Sequence, residues 1–185
     1  MLKWLQNNPM ITLISLLIGL AGLTVGIYSI SLSIQKRSPS FLADPDRTEI
    51  IKQERITNAP IKILRTNDEQ IIGDITSVKL YFWNKGKMPI ERKDILAPLK
   101  ITLNDPQGEI LDYSLQVISR EVTNIKIIRS LEEPKLALSV DFDILEHNDG
   151  FCLQVIYLGN PTAKFNFSGE IKGVSTSIKK QQARF

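Results

Sequence analysis

Histidine and cysteine each occur once in this chain, as His147 and Cys152, and that scarcity closes several routes at once. One cysteine permits no intrachain disulfide, so the fold cannot be a disulfide-stapled scaffold, and a reducing compartment is allowed. One histidine leaves no second histidine to orient a base. Twenty acidic side chains nearly balance 23 Lys and Arg, so no basic surplus demands a nucleic acid polymer as partner. Phosphate-loop and EF-hand patterns are also missing: Asn84-Lys85-Gly86-Lys87 has glycine and lysines, but not the G-x-x-x-x-G-K-[ST] spacing.

Charge is missing altogether from one stretch. From Met10 to Ile34 no residue is charged, and as a helix that run is about 37 Å long, enough to cross a hydrocarbon core about 30 Å thick. It is too long for the apolar core of a secretory signal, and Ser29-Ile30-Ser31-Leu32-Ser33 is a poor cleavage site. A retained anchor is expected, with a cleaved signal as the competing reading. Since no second run of this kind follows, the expected topology is single-pass. Lys3 precedes the helix, whereas Lys36, Arg37, Arg47 and Lys52 follow it, which places the C-terminal part in the cytoplasm by the distribution of cations. The expected location is the inner membrane.

Small and polar residues recur along this segment at alternating spacings of four and three: Asn8, Thr12, Ser15, Gly19, Gly22, Gly26, Ser29 and Ser33. At about 100° per residue they form one narrow stripe. In lipid, small residues let helix backbones approach, so Thr12 to Ser33 reads as a packing seam for a second copy or a partner helix. A lone anchor is the plainer alternative.

Five segments are distinguished along the chain: 1–9 as N-terminal flank, 10–34 as membrane helix, 35–57 as polar stalk, in which 49–52 is open to a short strand or helical turn, 58–174 as β-domain and 175–185 as basic tail. In the β-domain the period becomes two. Val78, Leu80 and Phe82 alternate with Ser77, Lys79, Tyr81 and Trp83, and similar alternation recurs around 99–104, 111–117, 136–144 and 164–171. Phe151 to Leu158 is apolar on both faces and is expected to be a central strand. Turn residues separate the runs at 84–86, 105–108, 147–150 and 159–161. About eight strands without a long amphipathic helix between them predict a mainly β fold, an antiparallel Ig-like β-sandwich.

Chemistry is sparse. His147 and Cys152 are the one base and nucleophile pair on offer, and a buried inert thiol is the commoner role for a cysteine opening an apolar strand. Asp141, Asp143, Glu146 and Asp149 carry enough charge for calcium, but in no known loop spacing; solvated carboxylates are the plainer reading. Lys179, Lys180 and Arg184 are too few to define a lipid-binding cluster. No catalytic residue, metal ligand or cofactor is assigned. Asn166-Phe167-Ser168 fits a glycosylation sequon, which a cytoplasmic location makes irrelevant.

Tyr81-Phe82-Trp83-Asn84-Lys85-Gly86, then Pro89-Ile90 and Asp94-Ile95, then Asn148 to Tyr157 and Gly169-Glu170-Ile171-Lys172-Gly173, carry a resemblance. Together with the N-terminal apolar segment they resemble a loose group of bacterial membrane-tethered Ig-like β-sandwich proteins without an assigned active site. The resemblance covers most of Ile61 to Val174 and implies a tethered sandwich. The expected function is non-enzymatic: helix-mediated oligomerisation in the lipid bilayer, with the sandwich binding a protein or small ligand. The alternative is an antiphage membrane effector whose sandwich senses a nucleotide signal and whose helices permeabilise the membrane.

Overall fold

The computed structural model describes residues 9–33, 35–56, 62–65, 67–174 and 179–180. They fall into two units, one ending at Gln35 and one beginning at Lys36. Helix α1, Pro9–Ser33, opens with proline, whose missing N–H costs nothing in a first turn. Its stretch Met10–Ile30 is long and apolar enough to cross a bilayer, and none of it is buried in the protein. Leu13, Leu16, Leu17, Leu20, Leu23, Ile27 and Ile30 are all exposed.

The second unit is built from two facing sheets. The first takes β1 (Pro39–Ala43), β2 (Thr48–Ile51), β3 (Ile75–Asn84), β6 (Glu109–Ile118), β10 (Gly150–Leu158) and β12 (Lys179–Lys180). Its order is β12-β1-β3-β10-β6, with β2 also pairing β3. The second takes β5 (Ile95–Asn104), β7 (Lys126–Arg129), β8 (Ala137–Asp141) and β11 (Lys164–Ile171), in the order β11-β5-β8-β7. Two short strands, β4 (Ile90–Glu91) and β9 (Ile144–Leu145), pair separately, and a one-turn helix α2 spans Gln53–Ile56. Neighbouring strands are antiparallel except β1 with β12.

Alternation puts one face of each strand inside. Leu80 and Phe82 of β3, Leu153 and Val155 of β10, Ile101 and Leu103 of β5, and Leu138 of β8 share a single buried cluster. Phe82 stacks on Phe167 of the opposite sheet at 4.4 Å and 5°, and Phe41 approaches the same ring at 5.4 Å. Each such ring pair adds about 1 kcal/mol to what burial already contributes. The apolar run 151–158 forms β10, central in its sheet between β3 and β6, as expected of a strand with two apolar faces.

The segment 35–57, expected as a polar stalk with a short strand or helical turn at 49–52, contains β1, β2 and α2, and Phe41 is 2% exposed in the core. Arg47 reaches Tyr157 Oη at 2.9 Å and the Ala163 carbonyl, tying the segment to β10 and to the turn beyond it. Two prolines and frequent charges hid a five-residue strand that begins at Pro39, the strand position where proline is tolerated. Of the basic tail, Lys179–Lys180 lie beside Ser40 and Phe41, while 175–178 and 181–185, including Arg184, lie outside the described residues.

Asn84 closes one end of the sandwich. It is fully buried; its Oδ1 accepts from the N–H of Ser38 and of Gly86, and its Nδ2 donates to the carbonyls of Met88 and Leu145. Gly86 then lies so close to the incoming chain that a Cβ there would be 2.1 Å from the Lys36 carbonyl oxygen. The Asn84-Lys85-Gly86 sequence is thus a structural clasp, and the glycine is required by close approach.

Candidate functional site

Strand β3 sends Lys79, Tyr81 and Trp83 to the outer face of the first sheet, because Val78, Leu80 and Phe82 occupy the inner one. Across the ladder, β10 places Gln154 opposite Lys79, Cys152 opposite Tyr81 and Gly150 opposite Trp83. Gly150 presents no side chain. A Cβ there would fall 2.1 Å from the Phe82 carbonyl oxygen and 2.6 Å from Trp83 Cβ, so glycine both permits the pairing and leaves the space open. On the far side of β10, Val117 lies opposite Cys152 and Leu115 opposite Leu153, so Gln116 is an extra residue, a bulge in β6. Bulges redirect side chains beside binding sites.

These residues line an open groove of about 520 Å³, floored by Tyr81, Trp83, Val117 and Cys152 and edged by Lys79, Gln116, Ser119 and Asn148. Its volume lies in the range of small-molecule sites, and it combines ring surfaces with few polar groups. Burial pushes the Cys152 thiol pKa up, opposed by a hydrogen bond from Tyr81 and by the charge of Lys79. Burial also raises the pKa of Tyr81, helped by Cys152 and Asp44. Both groups are therefore protonated at neutral pH and act as an apolar, hydrogen-bonded floor.

His147 does not join this floor. Its Nδ1 lies 3.1 Å from the Gly86 carbonyl oxygen, while Cys152 is engaged by Tyr81, so the described contacts assemble no base and nucleophile. The four carboxylates considered for calcium separate into two arginine-paired groups. Arg92 lies 2.8 Å from Asp141 and 4.0 Å from Asp143; Arg120 binds Asp149 and lies 2.9 Å from Glu146. Asp149 further accepts from Ser119 Oγ at 3.0 Å and from the Glu146 N–H at 2.9 Å. Hydrogen bonding to Arg120 holds its carboxyl below the usual range. Among the described residues no group of three or more acidic, histidine or cysteine side chains is arranged to hold a metal.

The seam residues Thr12, Ser15, Gly19, Gly22, Gly26, Ser29 and Ser33 all lie on α1; Asn8 lies outside the described residues. Ser15 Oγ donates to the Ile11 carbonyl at 2.8 Å and Ser33 Oγ to the Ser29 carbonyl at 2.9 Å. Such back-bonding satisfies hydroxyls inside the helix, so the stripe is less polar than its sequence suggests. No heavy atom outside the immediate helix backbone lies within 4 Å of a Cβ built on Gly19, Gly22 or Gly26.

The aromatic groove was not singled out from sequence, although its signal is there: two aromatic residues, Tyr81 and Trp83, on the solvent parity of a strand whose other face carries Val78, Leu80 and Phe82. Comparison with protein-family models, with curated proteins and with solved structures finds no match.

Proposed function

We propose that this chain is a non-enzymatic, single-pass inner-membrane protein that oligomerises through α1 and binds a protein or small ligand with a cytoplasmic sandwich. One observation carries the assembly reading: the three seam glycines meet nothing that would require glycine within the chain. In lipid the use for such a surface is another helix. Replacing Gly22 and Gly26 with Leu weakens the crosslinked ladder in membranes; an unchanged ladder refutes the seam.

Support for an Ig-like class comes from strand order. β1-β3-β10-β6 follows the A-B-E-D order of an immunoglobulin sheet, and β11 beside β5 follows F beside C. The β7–β8 hairpin then reads as an insertion between D and E. This agrees with the resemblance to membrane-tethered Ig-like sandwiches.

The groove supports a second reading. Two half-buried rings beside a lysine suit a planar, anionic ligand such as a nucleotide, stacked on the rings with its phosphate toward Lys79. That chemistry fits a membrane effector gated by a nucleotide signal. Tryptophan fluorescence of the full chain titrated with mono- and cyclic nucleotides tests it: saturable quenching lost in Trp83→Leu supports sensing, and no response to any nucleotide removes it.

A further inference from the structure

The free edges of the two sheets are not alike. In the second sheet, β7 is four residues long and carries Lys126 and Arg129, while β11 carries Lys164 and Glu170 and loses register around Gly169, at φ +129°. Short length, charge and irregularity are the usual protections against edge-to-edge pairing. Strand β6 closes the first sheet with ten residues; its register shifts fall at Leu111 and Gln116, and between them Asp112–Leu115 runs regularly with one charge and no proline or glycine. Its outer side is covered towards its start, where Arg129 donates to the carbonyls of Ile110 and Leu111 at 2.8 and 2.9 Å and lies 5.8 Å from the Tyr113 ring centre, and where the Ile110 N–H donates to the Lys135 carbonyl at 2.7 Å. At the far end Val117, Ile118 and Val122 are 61%, 41% and 59% exposed.

We infer that β6 pairs antiparallel with β6 of a second copy, about a two-fold axis through Ser114, joining the two first sheets into one. The sequence of the strand is self-complementary about that point. Asp112, Ser114 and Val117 share the outer face with Ile156, Gln154 and Cys152 of β10, while Tyr113 and Leu115 share the inner face with Val155 and Leu153. Centring on Ser114 sets Ser114 against Ser114 and Tyr113 against Leu115 on matching faces, and Asp112 against Gln116, whose side chain donates to Ser114 Oγ at 2.7 Å. No like charges meet, and the exposed Val117 end of each strand lies over Leu111 of the other. The segment used, Asp112–Gln116, begins where the hydrogen bonds of Arg129 to the β6 backbone stop.

This contact is separate from the helix seam, so the test is made on the full chain in membranes with Gly22→Leu and Gly26→Leu present. Two differently tagged copies are co-expressed and their co-capture is measured. With Ser114 native, the seam variant retains association. Ser114→Lys in both copies, or Ser114→Glu in both, lowers it about tenfold, and one Lys copy with one Glu copy restores it, since charges directly opposite repel or attract. Ser114→Cys, which alters one atom, gives a disulfide-linked dimer on mild oxidation, because opposed Cα atoms lie about 5 Å apart. Loss of all association in the seam variant, indifference to Ser114→Lys, failure of the mixed pair to recover, or no disulfide at Ser114→Cys each overturns the pairing. The first of those outcomes leaves the helix proposal standing.

Discussion

Arg37 Nη2 lies 2.9 Å from Asp94 Oδ2, with the two side chains 14% and 5% exposed. The arginine also donates to the carbonyls of Pro89 and Lys172, and Asp94 Oδ2 accepts from the Glu91 N–H. One ion pair thus fixes the entry of the chain into the sandwich to the turn before β5 and to the residue after β11. Removing one member of such a pair strands a buried charge, at about 3 kcal/mol or more. Arg37→Met is therefore expected to lower the unfolding midpoint of the sandwich, read by pulse proteolysis across a urea series. Arg37→Lys recovers part of the loss, because a lysine cannot reproduce the forked contacts.

Asn84 is irreplaceable by its isostere. Asn84→Asp keeps an acceptor for Ser38 and Gly86 but loses the donor to Met88 and Leu145, and it buries a charge among carbonyls. It is expected to destabilise at least as much as Asn84→Ala, by roughly 2 kcal/mol or more. The same urea series ranks the two variants.

Glycines of two kinds separate cleanly. Gly86→Ala must push the Lys36–Ser38 backbone aside and is expected to destabilise the sandwich. Gly22→Ala meets open space, leaves the sandwich unchanged and alters association alone. Measuring proteolytic stability and crosslinking on both variants gives opposite patterns.

Much of this architecture was readable in advance where period and burial coincide. The apolar run 10–34 became Pro9–Ser33, and the alternation around Val78, Leu80 and Phe82 became β3. What could not be read were elements whose stability comes from distant partners. β1 is held by its register with β3 and by Phe41 against Phe167, neither of which leaves a local pattern. Arg37 and Arg47, counted from sequence as cations flanking a membrane helix, are engaged by Asp94 and by Tyr157. The groove was hidden for a similar reason: Gly150 and Trp83 become neighbours through pairing of strands far apart in sequence.

Acid should loosen the sandwich. The carboxyls of Asp149 and Glu109 are both held below their ordinary range, chiefly by hydrogen bonds from Arg120 and Arg65. Their contribution is complete above the unfolded-state values, near pH 4, and is lost as pH falls through and below them. Stability measured from pH 7 to 3 is expected to fall most steeply below about pH 4.5. Asp149→Asn gives a flatter profile.

Cys152 is 6% exposed and its thiol pKa is raised by burial. Maleimide labelling of the native chain at pH 7 is expected to be slow and to accelerate only near the unfolding midpoint. A bulky adduct there fills the groove floor, so any ligand that occupies the groove should slow labelling further.

The place of β10 in its sheet also sets a timetable. β3 and β6 flank this strand on either side, and it begins at Gly150, long after α1 ends at Ser33. At cellular synthesis rates that interval is on the order of ten seconds. Throughout it the apolar helix is already made, while the first sheet lacks the strand that bridges β3 and β6. The apolar helix is thus complete long before the first sheet can close, and a chain stopped short of Leu158 would leave the facing edges of β3 and β6 open.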